Sequence, residues 1–150
     1  MIDTEWTDTP YPAWEGIESL MASDDEFTVP EGPFVSVFIN GEMAGSFSVI
    51  PWSSVCLQIH GGINKRFWGK GVEICTALGM FLFTSSPIVK IVAIVPEFNR
   101  LMRRCLVKTG LTQEGIVAKS FMKNMKLHDQ YVYGVYRGEV IRCQQQQSVG

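Results

Sequence analysis

The sequence predicts one α/β (α+β) domain built on a mixed, mainly antiparallel sheet, with a central β-α-β crossover and helices on both faces. Three observations predict it. Apolar and polar residues alternate over 34–60, interrupted by Asn40-Gly41 and Pro51, which is the two-residue period of antiparallel strands joined by tight turns. Residues 72–83 are apolar almost all round, as in a helix buried against a sheet, and they lie between two strand-like segments. Residues 88–95 are β-branched and nearly continuous, as in a strand covered on both faces, so the helix before them is read as a crossover.

Composition bounds the chain before any motif is read. Its 150 residues can bury a core without disulfide staples, and 46% apolar with 19% charged residues is globular rather than disordered usage. The longest apolar stretch contains Glu73 and is too short to span a bilayer, so no membrane association is expected. Lys and Arg are absent before Lys65, unlike a secretory leader, and a cytoplasmic location is the expectation. Cys56, Cys75, Cys105 and Cys143 form no C-x-x-C pair, and only two histidines could assist them. Neither a metal site nor a disulfide frame is expected.

The net charge of -2 hides an asymmetry. Residues 1–32 carry nine acidic groups and no Lys or Arg, whereas residues 64–126 carry eleven basic groups against Glu73, Glu97 and Glu114. Such a basic half favours an anionic partner such as a phosphorylated cofactor, or else the acidic segment folds back across it.

Taken in order, residues 1–32 are an acidic segment of the same domain. Its first twelve residues are compatible with a short edge strand but read as an irregular surface run, given Pro10 and Pro12. Trp14, Ile17, Leu20 and Met21 have helical spacing and predict a short helix over 14–21. The main body covers 33–137. Strands are expected over 34–39, 43–50 and 55–60, with Gly61-Gly62 closing the third. The buried helix over 72–83 and the strand over 88–95 follow. Asn99 is a suitable N-cap for a helix over 100–108, and Gly110 a suitable C-terminal stop. Residues 115–122 and 131–137 read as two further strands, and 138–150 as a polar Gln-rich tail.

The chemistry is concentrated at residues 63–73, where a strand passes through a Gly-rich basic loop into a helix. Unpaired amides and the positive end of a helix dipole converge at such a junction, which suits a phosphate. Gly69 and Gly71 are read as permitting close backbone approach, with Lys65, Arg66 and Lys70 adding charge. Replacing both glycines by Glu is expected to abolish cofactor binding without unfolding the chain.

These residues resemble the GNAT family of N-acetyltransferases. Arg66, Phe67, Trp68, Gly69, Lys70 and Gly71 fit the family's Gln/Arg-x-x-Gly-x-Gly/Ala loop, which binds the acyl-CoA pyrophosphate. A second register, Trp68-Gly69-Lys70-Gly71-Val72-Glu73, is similar to a Trp-Gly-Lys-Gly variant found in ribosomal-protein-type members. Val95-Pro96 followed by Asn99 resembles the end of the fifth strand and the Asn that contacts the cofactor arm. The resemblance spans residues 33–137 and implies a GNAT-like fold with a shortened N-terminal part, acetyl-CoA as cofactor, and acetyl transfer to an amine of a protein or small molecule. Leu106 stands where many members carry a Tyr that protonates the leaving thiolate. The resemblance leaves His60 as the candidate base and Tyr133 as a candidate source of a hydroxyl. A closer likeness is to short GNAT-like proteins of tailed bacteriophages, through His60-Gly61-Gly62, Trp68-Gly69-Lys70-Gly71 and Asp129 with Tyr133-Gly134. It implies a second reading, a catalytically degenerate protein acting in head or virion assembly through contacts with phage structural or assembly proteins, in the host cytoplasm. Nucleic acid is not expected as a partner, because the basic residues are not interleaved with exposed aromatics.

Overall fold

Strand geometry accounts for about half of the described residues. The computed structural model describes residues 1–8 and 33–139. The helix expected over 14–21 and the Gln-rich tail beyond 139 lie outside the described residues. Strands β1 (Ile2–Thr7), β2 (Phe34–Ile39), β3 (Glu42–Pro51) and β4 (Cys56–Ile63) form an antiparallel meander. A 3-10 turn (Lys65–Lys70) leads into helix α1 (Gly71–Ser85), and then follow β5 (Lys90–Pro96), helix α2 (Arg100–Thr109), β6 (Thr112–Lys123) and β7 (Lys126–Tyr136). The sheet order is β1-β2-β3-β4-β5-β7-β6, with β4 and β5 parallel and every other pair antiparallel. This is the expected mixed sheet with its central crossover.

Local signals explain the turns. Asn40 and Gly41 both have positive φ (50° and 82°), which two-residue hairpins require. Asn124 and Met125 repeat the device at 53° and 60° between β6 and β7. Asn99 accepts a hydrogen bond from the Met102 amide at 3.2 Å, and Gly110 ends α2 at φ 109°.

Two expectations at the ends of elements need correction. The opening residues form a strand rather than an irregular run: Ile2 pairs with Ile39 and Thr7 with Phe34, and Trp6 lays its ring against Phe81 of α1 at 5.7 Å. Gly61-Gly62 do not close the third strand either. Pairing continues to Ile63, and a Cβ on Gly61 would sit 2.4 Å from the Ser46 carbonyl oxygen and 2.4 Å from the Phe47 ring. Glycine is there because two strands and a ring leave no room for a side chain.

Register assigns the faces. Trp6, Val35 and Phe47 are successive cross-strand partners, as are Val49, Ile59, Ala93 and Tyr133, and Phe47 and Val49 stand two apart on β3, so all seven share one face. Both described helices pack on that face, α1 through Phe81 on Trp6 and α2 through Arg103 on Tyr131 and Tyr133. The core between them holds Val35, Phe47, Ile74, Leu78, Leu82 and Ile91, each at most 4% exposed. The opposite face carries the buried serines Ser36, Ser46 and Ser48. Helix α1 ends without glycine; Arg137 instead donates to the Phe83, Ser86 and Ile88 carbonyls, satisfying acceptors a helix end leaves open. Among the described residues, no helix is long and apolar enough to cross a membrane.

Candidate functional site

The site begins where β4 and β5 part. They pair only from Cys56↔Lys90 to Ile59↔Ala93, although β4 runs on to Ile63 and β5 to Pro96. Beyond Ile59, β4 bonds only to β3, and beyond Ala93, β5 bonds only to β7. The facing edges therefore expose main-chain donors and acceptors that no strand satisfies, a place for an extended polar ligand. A cleft of about 170 Å³ occupies this parting and continues between α1 and α2. Its walls are mainly apolar, with Phe47, Ile59, Met102 and Leu106 prominent, while His60, Thr76, Asn99 and Gln130 supply polar atoms.

The loop stands at the start of α1. Asn64 accepts from the Arg66 amide at 3.2 Å and opens the 3-10 turn; Lys70 is the residue before α1, and no side chain caps the helix. The Gly71 amide is already spent on the Trp68 carbonyl, so within the first turn only amides beyond Gly71 can face an anion. Glu73, exposed in that same turn, opposes one electrostatically, and Lys70 offsets it.

The loop candidates divide by what they touch. Trp68 donates its indole N–H to the Ile63 carbonyl at 3.0 Å, and both it and Phe67 pack against the core. Arg66 is paired at 2.7 Å with Glu42 of the β2–β3 hairpin, with its guanidinium 5.7 Å from the Phe67 ring. Phe67, Trp68 and Arg66 therefore shape the loop. Gly69 has nothing within 4 Å of the place its Cβ would take, so a ligand can come close there. Gly71 is different: its Cβ would lie 2.5 Å from the Cys105 sulfur, so this glycine lets α1 and α2 approach each other. The expected double replacement of Gly69 and Gly71 would disturb the fold at Gly71, and Gly69 alone is the clean probe of the loop.

The catalytic candidates are not brought together. His60 lines the cleft, and its Nε2 meets the Gln58 side-chain amide two residues back on the same strand face. Burial lowers its pKa, so the imidazole is neutral at neutral pH. Tyr133 is only 2% exposed and does not line the cleft; its hydroxyl accepts from Arg103 Nε at 3.1 Å, under the outer side of α2. Asn99 does line the cleft, with its side-chain oxygen committed to capping α2 and its amide NH2 left over. Leu106 projects an apolar wall at the place where the family resemblance puts an acid. Cys75, also on the wall, is fully buried, and its thiol is pushed up to about 12, so it is no nucleophile.

Sequence reasoning missed Gln58 and Gln130. Gln58 was legible in principle, since residues i and i+2 of a strand share a face and His60 was already in view. Gln130 reaches the cleft only because β7 pairs with β5, placing it opposite Pro96, and no local pattern carries that.

No family model matches the chain, and no curated protein matches it. Solved structures do. The chain is similar to a spermidine N-acetyltransferase from Vibrio cholerae solved with CoA and spermine (TM-score 0.65, 16% identity, 72% of this chain and 67% of that one). It is similar to Mycobacterium smegmatis RimJ solved with CoA-disulfide (0.63, 19%, 77% and 60%). It is also similar to a GNAT-family acetyltransferase from Bacillus anthracis (0.62, 21%, 71% and 67%). The chain spans less than two thirds of the length of three further acetyltransferases that it matches, 60%, 65% and 62%. With its seven-stranded, mostly antiparallel sheet parted between β4 and β5 and its crossover helix led by a Gly-rich loop, the chain has the GNAT acetyltransferase fold.

Proposed function

We propose that this protein is an N-acyltransferase that moves an acetyl group from acetyl-CoA to an amine. The observation that carries the reading is the parting of β4 from β5, with its cleft, directly beside a helix start that no side chain caps. Acetyl-CoA, when bound, supplies the activated acyl thioester. The first-turn amides of α1, with the open backbone at Gly69 and the charge of Lys70, hold the pyrophosphate. The free edges of β4 and β5 hold the amide-bearing arm, and Asn99 offers its NH2 at the cleft's far wall. Two of the neighbours named above were solved with CoA or its disulfide, which supports the same choice of cofactor here.

His60 is the proton acceptor in this reading. Burial keeps the ring unprotonated when an incoming ammonium must lose its proton. The Gln58 amide sets which nitrogen is basic: its NH2 on Nε2 occupies that lone pair, whereas its oxygen on an Nε2–H leaves Nδ1 as the base. Leu106 offers no proton to the departing thiolate, so that proton comes from solvent, and positioning carries more of the catalysis than in a site with a dedicated acid. Tyr133 has no part in it. The acceptor class stays as broad as the fold allows, an amine on a protein or a small molecule. The assembly reading, a non-catalytic phage protein, draws no support from the neighbours, two of which are acetyltransferases by name.

Calorimetric titration with acetyl-CoA tests the reading. Binding near micromolar Kd, about -8 kcal/mol, is expected for the unaltered chain. Gly69→Glu should weaken it at least about a hundredfold by placing a carboxylate at the pyrophosphate, with an unchanged melting temperature. A folded Gly69→Glu protein that binds as tightly as the parent would remove the loop from the cofactor site. No heat from the parent at millimolar ligand would remove the cofactor.

A further inference from the structure

We propose that the outer face of α2 is a docking groove for an acidic polypeptide segment that also carries apolar side chains. This goes beyond the cofactor reading and does not rest on it. Two adjoining hollows of about 500 Å³ each share Arg100 and Arg103 and run between α2 and strands β6 and β7. Arg100, Arg104 and Lys108 stand at i, i+4 and i+8, one ridge of the helix about 12 Å long. Lys126 faces them across the first hollow.

Among the described residues the charge there is not balanced. None of Arg100, Arg104, Lys108 and Lys126 pairs with a carboxylate among the described residues. The nearby acids are engaged: Glu97 with His128 at 3.0 Å, Glu114 with Lys90 at 2.7 Å, and Asp129 accepting from the Lys119 amide at 2.9 Å. Like charges at helical i, i+4 spacing oppose the helix that carries them. Arg103, between the two hollows, is by contrast engaged within the fold. Its guanidinium lies 3.9 Å over the Tyr131 ring and donates to the Tyr133 hydroxyl and the Glu97 carbonyl. It pins the groove floor, and the exposed cations around it meet no counter-charge among the described residues.

A polypeptide fits this face better than a nucleic acid does. Single-stranded nucleic acids bind basic grooves by stacking bases on open aromatic faces. Here Tyr133 is 2% exposed and the Tyr131 face is taken by Arg103. Phe98, half-buried in the first hollow, has Lys123 over its ring at 5.0 Å and packs edge-on with Phe121 and His128. What lies most open beside the cations is aliphatic: Val107 on the groove wall, 57% exposed, and Ile116, 53% exposed, directly across from Tyr131 on the same sheet face. Carboxylates for the ridge and aliphatic side chains for Val107 and Ile116 describe one ligand, an acidic amphipathic segment.

The test is fluorescence anisotropy of the full chain with a short labelled peptide in which glutamates alternate with leucines. Peptides with Gln for Glu or Ser for Leu, and a labelled oligothymidylate, serve as comparison probes. The Glu-Leu peptide should bind in a salt-sensitive manner, and each comparison peptide at least about fivefold more weakly. The exposed double change Arg104→Glu with Lys108→Glu should weaken it at least about tenfold without lowering the melting temperature, and Val107→Ser severalfold. Any of three results would overturn the proposal: no binding of the Glu-Leu peptide, equal affinity for the charge-reversed protein, or tighter binding of the oligothymidylate. The last would assign the groove to nucleic acid.

Discussion

Helix α2 has two sides that do opposite things. Toward α1 it presents Met102, Leu106 and the backbone around Thr109 to a cleft whose polar groups are neutral. Away from α1 it presents Arg100, Arg104 and Lys108 to a groove of concentrated positive charge. One ten-residue helix, capped by Asn99 and stopped by Gly110, thus separates a desolvated site from a solvated one. The contrast teaches that a charge count alone does not locate a ligand. The basic excess of residues 64–126 suggested an anionic cofactor, yet five of its residues, Arg100, Arg103, Arg104, Lys108 and Lys126, lie on the groove side. The proposed cofactor site instead relies on helix amides, strand edges, one open glycine and the charge of Lys70 alone.

The comparison can be broken by changing what holds each side in place. The largest effect is expected at Gly61, where any Cβ meets backbone and ring at 2.4 Å. Gly61→Ala should cost about 3 kcal/mol by forcing β3 and β4 apart, read as a lowered urea midpoint. An unchanged midpoint would mean the strands are looser at the cleft than their register implies. On the groove side, Arg103→Met keeps much of the side-chain bulk but removes two hydrogen bonds and the stacking on Tyr131. A loss of about 2 kcal/mol is expected, and a loss near zero would show that the floor does not need its pin.

Smaller still is Gly71→Ala. The new methyl meets only the Cys105 thiol, a side-chain end that can rotate, and alanine favours the helix. A net cost of about 1 kcal/mol is expected, against none at Gly69, which separates the packing glycine from the ligand glycine by denaturant titration. The smallest effect is the pH dependence of His60. Its folded pKa is below the unfolded value of about 6.5, so the unfolded chain binds more protons between the two. Stability from this group is therefore complete above about pH 6.5 and declines as pH falls toward the folded value. Acetyl transfer that needs the neutral ring should decline over the folded titration, at lower pH than an exposed histidine would give. Substitution by Gln should flatten both profiles. Profiles that keep their shape in His60→Gln would assign the titration elsewhere and make His60 a structural residue.

Local chemistry wrote much of this fold into the chain. Asn40-Gly41 needs no distant partner to specify a hairpin, Asn99 and Gly110 bound α2 within its own turns, and the β-branched run of β5 reads as a covered strand. The same holds for the loop before α1, because a strand, glycines and a helix start are contiguous. Other features had no local form. The strand Ile2–Thr7 is short, polar and half exposed, and it exists because β2 offers an edge and Phe81 receives Trp6. Arg137 closes the end of α1 from about fifty residues away. Tyr133 carried the right hydroxyl for a catalyst, but strand register turned it under α2 and gave its oxygen to Arg103. Turns, caps and hydrophobic period are settled by residues within a few positions of one another. Which side of a helix a side chain meets, and which glycine is packed or open, depends on contacts between segments that only the assembled sheet brings together.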